Sequence, residues 1–249
     1  MEIIEAPSPN FDERALAISM LVLHYTGMKD GPAALSHMQS KAAKVAAHYM
    51  VEEDGRIFRL VGEDKRAWHA GVSHWRGVTD VNSASIGIEI VNGGHDFGLP
   101  EYPERQIEAV IALSRDIKKR HNISDFNIVA HSDIAPERKQ DPGEKFPWAQ
   151  LADADIGIWP QLKRADRRPL VDAQSSPEQI RTLQKALAWY GYGIKPTGQL
   201  DEQTRTVITA FQRRYRPEKI DGYFDVETVE KIDLLVRYRK KVEGAAFVG

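Results

Sequence analysis

Residues 18–25 are apolar in both registers of a strand: Met20, Val22 and His24 alternate with Leu21, Leu23 and Tyr25. A strand with two apolar faces must be covered on both sides, so it predicts the centre of a sheet packed between helices. Residues 48–53 and 56–61 flank Asp54-Gly55, a turn pair that closes β-hairpins. Residues 85–91 read as another strand, with Ile86, Ile88 and Ile90 on one face and Ser85, Gly87 and Glu89 on the other. Residues 103–120 carry Ile107, Val110, Ile111, Ser114 and Ile117 at helical spacing. That helix ends on Lys118, Lys119 and Arg120, cations at the negative end of its dipole. Residues 127–131 predict a short strand. The expected fold is α/β, a mixed β-sheet flanked by helices.

The pattern changes near residue 160. Residues 161–175 are polar and basic without periodicity, and predict a linker between a domain at 1–160 and a small three-helix C-terminal domain at 176–249. Two domains suit a chain of 249 residues. Ser176, Pro177 and Gln179 form a capping box for the first helix, whose apolar face is Ile180, Leu183, Leu187 and Tyr190. Asp201 and Asp225 are expected N-caps of two more helices, in surroundings that repeat. Charge divides at the same place. Residues 1–160 hold 17 basic and 24 acidic side chains, residues 161–249 hold 17 and 12.

Cysteine is absent, which excludes disulfides, thiolate metal sites and a cysteine nucleophile. The HExxH, GxSxG and glycine-rich phosphate-binding signatures are missing too. What remains is a set of histidines at strand ends. His24 ends the central strand, His131 ends the strand after the long helix, and Asp141 lies ten residues further on, before a Pro142-Gly143 turn. Two histidines and a returning carboxylate supply the three N and O donors that a catalytic zinc ion takes, with one position open to water. Glu89, on the face with the small residues Ser85 and Gly87, fits the carboxylate that takes the water's proton, those neighbours leaving room for a substrate. Lys139 fits the cation that steadies an oxyanion. Each residue has a plainer reading. A strand-end histidine is more often packed or solvated than a ligand. An arginine partner or an edge position would account for Glu89, and a solvated loop for Lys139.

These residues sit in a series of short strings. They are Leu21-Val22-Leu23-His24-Tyr25-Thr26, Ala47-His48-Tyr49, Ala67-Trp68-His69-Ala70-Gly71, Ser85-Ile86-Gly87-Ile88-Glu89-Ile90, and Ala130-His131-Ser132-Asp133-Ile134-Ala135 followed by Lys139-Gln140-Asp141-Pro142-Gly143. In that order, over about residues 15–155, the chain resembles the type 2 N-acetylmuramoyl-L-alanine amidases, which share a fold with the peptidoglycan recognition proteins. The resemblance implies hydrolysis of the amide between the lactyl group of N-acetylmuramic acid and L-alanine. It implies Zn2+ on His24, His131 and Asp141, water activation by Glu89 and oxyanion stabilisation by Lys139. It places His48 and His69 as residues lining or bracing the cleft. Wall-binding relatives without activity tend to lack the third ligand, so Asp141 favours catalysis. His37, His74, His95 and His121 match no ligand position and read as surface or structural residues.

The second half resembles, more loosely, the three-helix peptidoglycan-binding modules, through Leu183-Gln184-Lys185-Ala186-Leu187, Tyr190-Gly191-Tyr192, Ala210-Phe211-Gln212 and Asp221-Gly222-Tyr223-Phe224-Asp225. Thr197-Gly198 stands where relatives commonly have Asp-Gly, which allows a degenerate module. The expected partner is peptidoglycan or a muropeptide. Nucleic acid is not expected, although the basic second half would attract it equally. No apolar run approaches a membrane span. The N-terminus lacks the look of a secretory signal, so the expectation is a cytoplasmic protein, with the periplasm or envelope as the alternative through a removed or unusual export signal.

Overall fold

The computed structural model describes residues 2–171 and 175–244. In chain order the first part holds β1 (Ile3–Glu5), β2 (Phe11–Glu13), β3 (Met20–Tyr25), α1 (Gly31–Gln39), β4 (Tyr49–Val51), β5 (Ile57–Arg59), β6 (Lys65–Ala67), α2 (Val81–Ala84) and β7 (Ser85–Ile90). It continues with α3 (Glu104–His121), β8 (Ile128–Ala130), α4 (His131–Ile134) and α5 (Trp148–Asp153). The second part is α6 (Pro177–Tyr190), α7 (Glu202–Tyr215) and α8 (Val226–Glu243).

Six strands form one mixed sheet in the order β1-β5-β4-β7-β3-β8, and β2 pairs with β6 in a separate two-stranded ribbon. β3 is an interior strand but not the middle one that its two apolar faces predict: it lies beside the edge strand β8 and is parallel to both neighbours, β7 and β8, while β4 and β5 form the antiparallel hairpin. The side-chain period of two divides the core. Leu21 and Leu23 join Ile86, Ile88 and Ile90 on one face, covered by Ile107, Val110, Leu113 and Ile117 of α3. On the other face, near β4 and β5, α1 supplies Ala34 and Met38 against Met50 and Phe58.

The remainder of that second face is covered by the helical module. Met20 and Val22 of β3, with Trp75, Phe126 and Val129, share one cluster with Leu187, Tyr190, Tyr192, Phe211 and Tyr215. The Trp75 ring stands edge-on to Tyr190 and Tyr192 at 5.9 and 5.1 Å. Burying one large apolar side chain is worth about 1.5–3 kcal/mol, so a seam with several on each side is a core. Within the stretch read as a linker, the described residues 161–171 are themselves tied to the helical module. Leu170 and Val171 donate their N–H groups to the Phe224 carbonyl at 3.0 and 3.1 Å, and Val226 and Glu227 donate to Arg168 and Asp166. Asp172, Ala173 and Gln174 of that stretch, and residues 245–249 of the C-terminal domain, lie outside the described residues.

The three caps form as the sequence requires. Ser176 accepts from the Gln179 N–H, Asp201 from Thr204 and Asp225 from Thr228. Thr197 takes over the part of an aspartate: its hydroxyl receives Gln184 Nε2 at 3.2 Å, as Asp221 receives Gln212 Nε2 at 3.1 Å in the second copy of the turn. Among the described residues no helix is long and apolar enough to cross a membrane.

Candidate metal centre and its cavity

The sheet register brings the site together. His24 is the fifth residue of β3 and lies opposite Glu89 of β7, on the face that also carries the Val22–Gly87 pair. β8 stops at Ala130, so His131 is the first residue of α4 rather than the last of a strand. Asp141 returns beside it because the Ser132 N–H binds the Asp141 carbonyl at 3.0 Å and Tyr102 Oη binds the Pro142 carbonyl at 2.7 Å. Gly143, at φ +86, closes the turn between these anchors.

His24 Nδ1, His131 Nδ1 and Asp141 Oδ2 lie 2.9–3.0 Å from one another, and all three residues are buried. Hydrogen bonds on the far side of each ring decide which nitrogen faces the centre. His131 Nε2 is 3.1 Å from the Ala70 carbonyl, which can only accept, so the proton is on Nε2 and Nδ1 presents a lone pair. The Ser85 hydroxyl donates to the Val81 carbonyl at 2.6 Å and therefore accepts from His69 Nε2 at 3.2 Å. His69 Nδ1 then accepts from His24 Nε2 at 3.0 Å, which leaves a lone pair on His24 Nδ1. Burial, then His131, holds His24 down to about 4, and burial holds His69 well below the ordinary imidazole value, so both rings are neutral at pH 7. Burial opposes ionisation of Asp141, but His131 and His24 outweigh it and keep the carboxyl below its usual range. Two lone pairs and a carboxylate oxygen thus converge on one point. Ligands about 2.0–2.1 Å from a tetrahedral zinc stand about 3.3–3.4 Å apart, so the donor set has the right chemistry for such an ion and would need to open by a few tenths of an ångström on each side to hold it.

A cavity of about 370 Å³ opens over this triangle. Glu89, Lys139 and His69 line it, with Tyr25, His37 and Met38 on its walls. Glu89 Oε2 is buried without a hydrogen-bond partner, and burial, then the Asp141 charge, raises its carboxyl well above the usual range. The arginine partner that would have made Glu89 structural is not paired with it among the described residues. Gly87 does not make room for a substrate, as the strand pattern implied. The His69 ring fills that space, and a Cβ on Gly87 would lie 2.6 Å from it.

His48 is buried away from the cavity. Its Nδ1 accepts from the Gly87 N–H at 3.0 Å, and its Nε2 lies 3.1 Å from the Lys65 carbonyl. It braces the strand beneath His69 and offers nothing to a ligand. His37, read from the sequence as surface or structural, is exposed on α1 and also borders the cavity. Its spacing of three from Ala34 on α1, whose Ala34 and Met38 are buried, was the available signal. Tyr25 was also missed. Its hydroxyl is held 3.0 Å from His95 Nδ1, and His95 Nε2 meets Glu144 at 3.0 Å. His121 pairs with Glu63 and does not line the cavity.

The comparisons with known proteins agree with this geometry. A family model described as N-acetylmuramoyl-L-alanine amidase matches residues 14–144, and one described as putative peptidoglycan binding domain matches residues 176–232. The chain is 40% identical to the N-acetylmuramoyl-L-alanine amidase AmiD of Escherichia coli over 244 residues, 91% of this chain and 87% of that protein. It is 34% identical to the 1,6-anhydro-N-acetylmuramyl-L-alanine amidase AmpD of Escherichia coli, over 58% of this chain and 87% of that one. Among solved structures, E. coli AmiD in complex with the substrate anhydro-N-acetylmuramic acid-L-Ala-D-γ-Glu-L-Lys superposes with a TM-score of 0.78 at 36% identity, covering 92% of this chain and 98% of that one. AmpDh3 of Pseudomonas aeruginosa gives 0.74 at 33% identity, covering 92% and 93%. The chain belongs to the N-acetylmuramoyl-L-alanine amidase family, with a C-terminal helical module of the peptidoglycan-binding kind.

Proposed function

We propose that this protein is a zinc-dependent amidase that hydrolyses the bond between the lactyl group of N-acetylmuramic acid and the L-alanine of a stem peptide. Residues 1–160 carry the chemistry, and residues 176–249 form the attached helical domain. The observation that carries the reading is the convergence of His24 Nδ1, His131 Nδ1 and Asp141 Oδ2 beside an unpartnered buried carboxylate. A receptor that only binds muropeptides has no use for that carboxylate, which is costly to bury alone.

These three side chains would hold the ion. Bound zinc supplies a water acidified to a pKa of roughly 7 and polarises the scissile carbonyl. Glu89 would take a proton from the attacking water and pass it to the departing alanine nitrogen, a role that suits a carboxyl raised well above its usual range. Lys139, on the cavity wall, faces the negative charge that develops on the carbonyl oxygen. His69 touches the cavity and holds His24, and His48 stands behind it.

The substrate class is an anhydromuramoyl or muramoyl peptide, by likeness to AmiD and to AmpDh3, whose structure with anhydromuramic pentapeptide also matches. The test is incubation with N-acetylmuramoyl-tripeptide and its 1,6-anhydro form, with products identified by mass. Free L-alanyl peptide that disappears on chelation and returns with Zn2+ is the expected result. Bound but intact muropeptide on protein shown to contain zinc would make this a recognition protein.

A further inference from the structure

We infer that the helical module is a positioning element of the metal centre, acting through Arg214 and Tyr192 on Asp133, and through Asp133 on His131. The inference rests on the reading of His131 as a zinc ligand.

α4, which begins with His131, is four residues long. A helix that short cannot hold itself, so the direction of the His131 ring depends on what grips the turn. The grip is Asp133, a fully buried carboxylate two residues on. Its Oδ2 accepts from the N–H of Ala130, the residue immediately before His131, at 2.9 Å. Among the described residues, the other hydrogen bonds to this carboxylate come from the module. Arg214 of α7 donates to Oδ2 at 2.5 Å, and the Tyr192 hydroxyl donates to Oδ1 at 2.6 Å. Arg214 also binds the Ile128 carbonyl of β8 at 2.8 Å, so it ties together the strand and the helix on either side of the ligand.

The guanidinium is itself held in place, over the Trp148 and Tyr215 rings at 4.2 and 4.8 Å, with its side chain only 2% exposed. Among the described residues Arg214 is the cation paired with Asp133. A buried carboxylate that loses its cation loses the group that holds it in place. The preceding residue, Arg213, lies 3.5 Å from Glu144 and 3.4 Å from Gln140, on the loop that brings back Asp141. One turn of α7 therefore meets both segments that carry ligands after β3. AmpD matches only 58% of this chain over 87% of its own length, so an amidase unit stands without such a bundle. In this chain the bundle supplies an internal charge, and its loss should loosen the metal centre rather than abolish it.

The test uses the full chain and four variants: Arg214→Met, Arg214→Lys, Tyr192→Phe and Ile232→Ala. Ile232 lies in the helical core on α8 and is 3% exposed; its truncation thins that core without touching Asp133. Zinc affinity is measured by competition with a chromogenic chelator, and kcat and KM on a muropeptide separately. Arg214→Met should weaken zinc by about 10–100-fold, the usual cost of losing a group that orients a ligand, and should lower kcat with KM little changed. Arg214→Lys should recover most of the loss, and Tyr192→Phe should show a smaller loss in the same direction. Ile232→Ala should melt earlier while keeping zinc affinity within about twofold.

The inference is overturned if folded Arg214→Met and Tyr192→Phe both keep zinc within about twofold of the parent, or if Ile232→Ala weakens zinc as much as they do. Should Arg214→Met fail to fold, Tyr192→Phe against Ile232→Ala decides the same question. A parent chain that takes up no zinc sinks the metal reading before any variant is compared, so the two failures are distinguishable.

Discussion

The amidase unit and the helical module both bury polar side chains, and they use them in opposite ways. In the module, Gln184 and Gln212 occupy equivalent places and are satisfied. Gln212 Nε2 donates to Asp221 and to the Tyr223 carbonyl, and its Oε1 accepts from the N–H groups of Asp221 and Gly222 at 2.9 and 2.8 Å. Gln184 repeats the pattern with the Gln199 carbonyl and the Gly198 N–H. These bonds are complete within the fold, so the repeated motif builds turns. At the cavity of the amidase unit a cluster of buried polar groups is left open, although others in that unit, such as the Asn10 amide nitrogen and the Ser83 hydroxyl, are bonded within the fold. His24, His131 and Asp141 point acceptors at one another, and Glu89 has an oxygen with no partner. Buried polar groups are normally paired, and the convergence of this set on one cavity, more than any single unpaired atom, marks the place where the molecule expects something from outside.

That contrast can be tested at each end. The largest effect should come from Glu89→Gln, which removes the acid–base group and leaves its shape. It should lower kcat by about 10²–10⁴-fold while KM and zinc content stay near those of the parent; turnover at the parental rate would remove Glu89 from the reaction. Gln212→Leu should do the reverse. It leaves buried N–H groups without an acceptor and should cost about 1–3 kcal/mol of stability, read from denaturant unfolding, with kcat on a small muropeptide unchanged. A loss of kcat without a loss of stability would erase the distinction between the two regions.

A smaller effect is expected from pH. His24 is held down to about 4 and His48 to about 3, each chiefly by burial, against an ordinary value of 6.5. Their folded values lie below the unfolded one, so the unfolded chain binds more protons in between. Their contribution is therefore complete above about pH 6.5 and is lost as pH falls through the folded values. The urea midpoint of chelator-treated protein should drop steadily between about pH 6.5 and pH 4. A flat midpoint would mean that these rings are not buried neutral.

Much of the candidate site was legible because its signals are local. His24 and Glu89 sit at fixed registers of strands whose alternation is plain, and Asp141 follows His131 by ten residues with a turn directly after it. Where the reading went astray, the cause was a contact between residues distant in sequence. Gly87 looked like space for a ligand, but the ring of His69 occupies it. Of the two roles open to His48, lining or bracing the cleft, the sequence could not choose; backbone groups of Gly87 and Lys65 engage both its nitrogens, and it braces. The basic excess of the second half looked like a surface for polyanions. Part of it is internal, since Arg214 and Arg216 are buried and paired with Asp133 and Asp225.

The sequence by itself determined the elements: the doubly apolar β3, the Asp54-Gly55 hairpin, the amphipathic α3 and three capped helices. Periodicity, turn chemistry and caps act over a few residues, and a linear string displays them completely. Only the tertiary structure decided what covers the second face of the sheet. Met20 and Val22 announce an apolar face but do not name the partner that buries it, because hydrophobic burial is non-directional and many apolar stripes would serve. The partner is the helical module, and with it come Arg214 and Tyr192 at the carboxylate beside His131. Charge pairing of that kind is selected by distance in space, which the order of residues does not record.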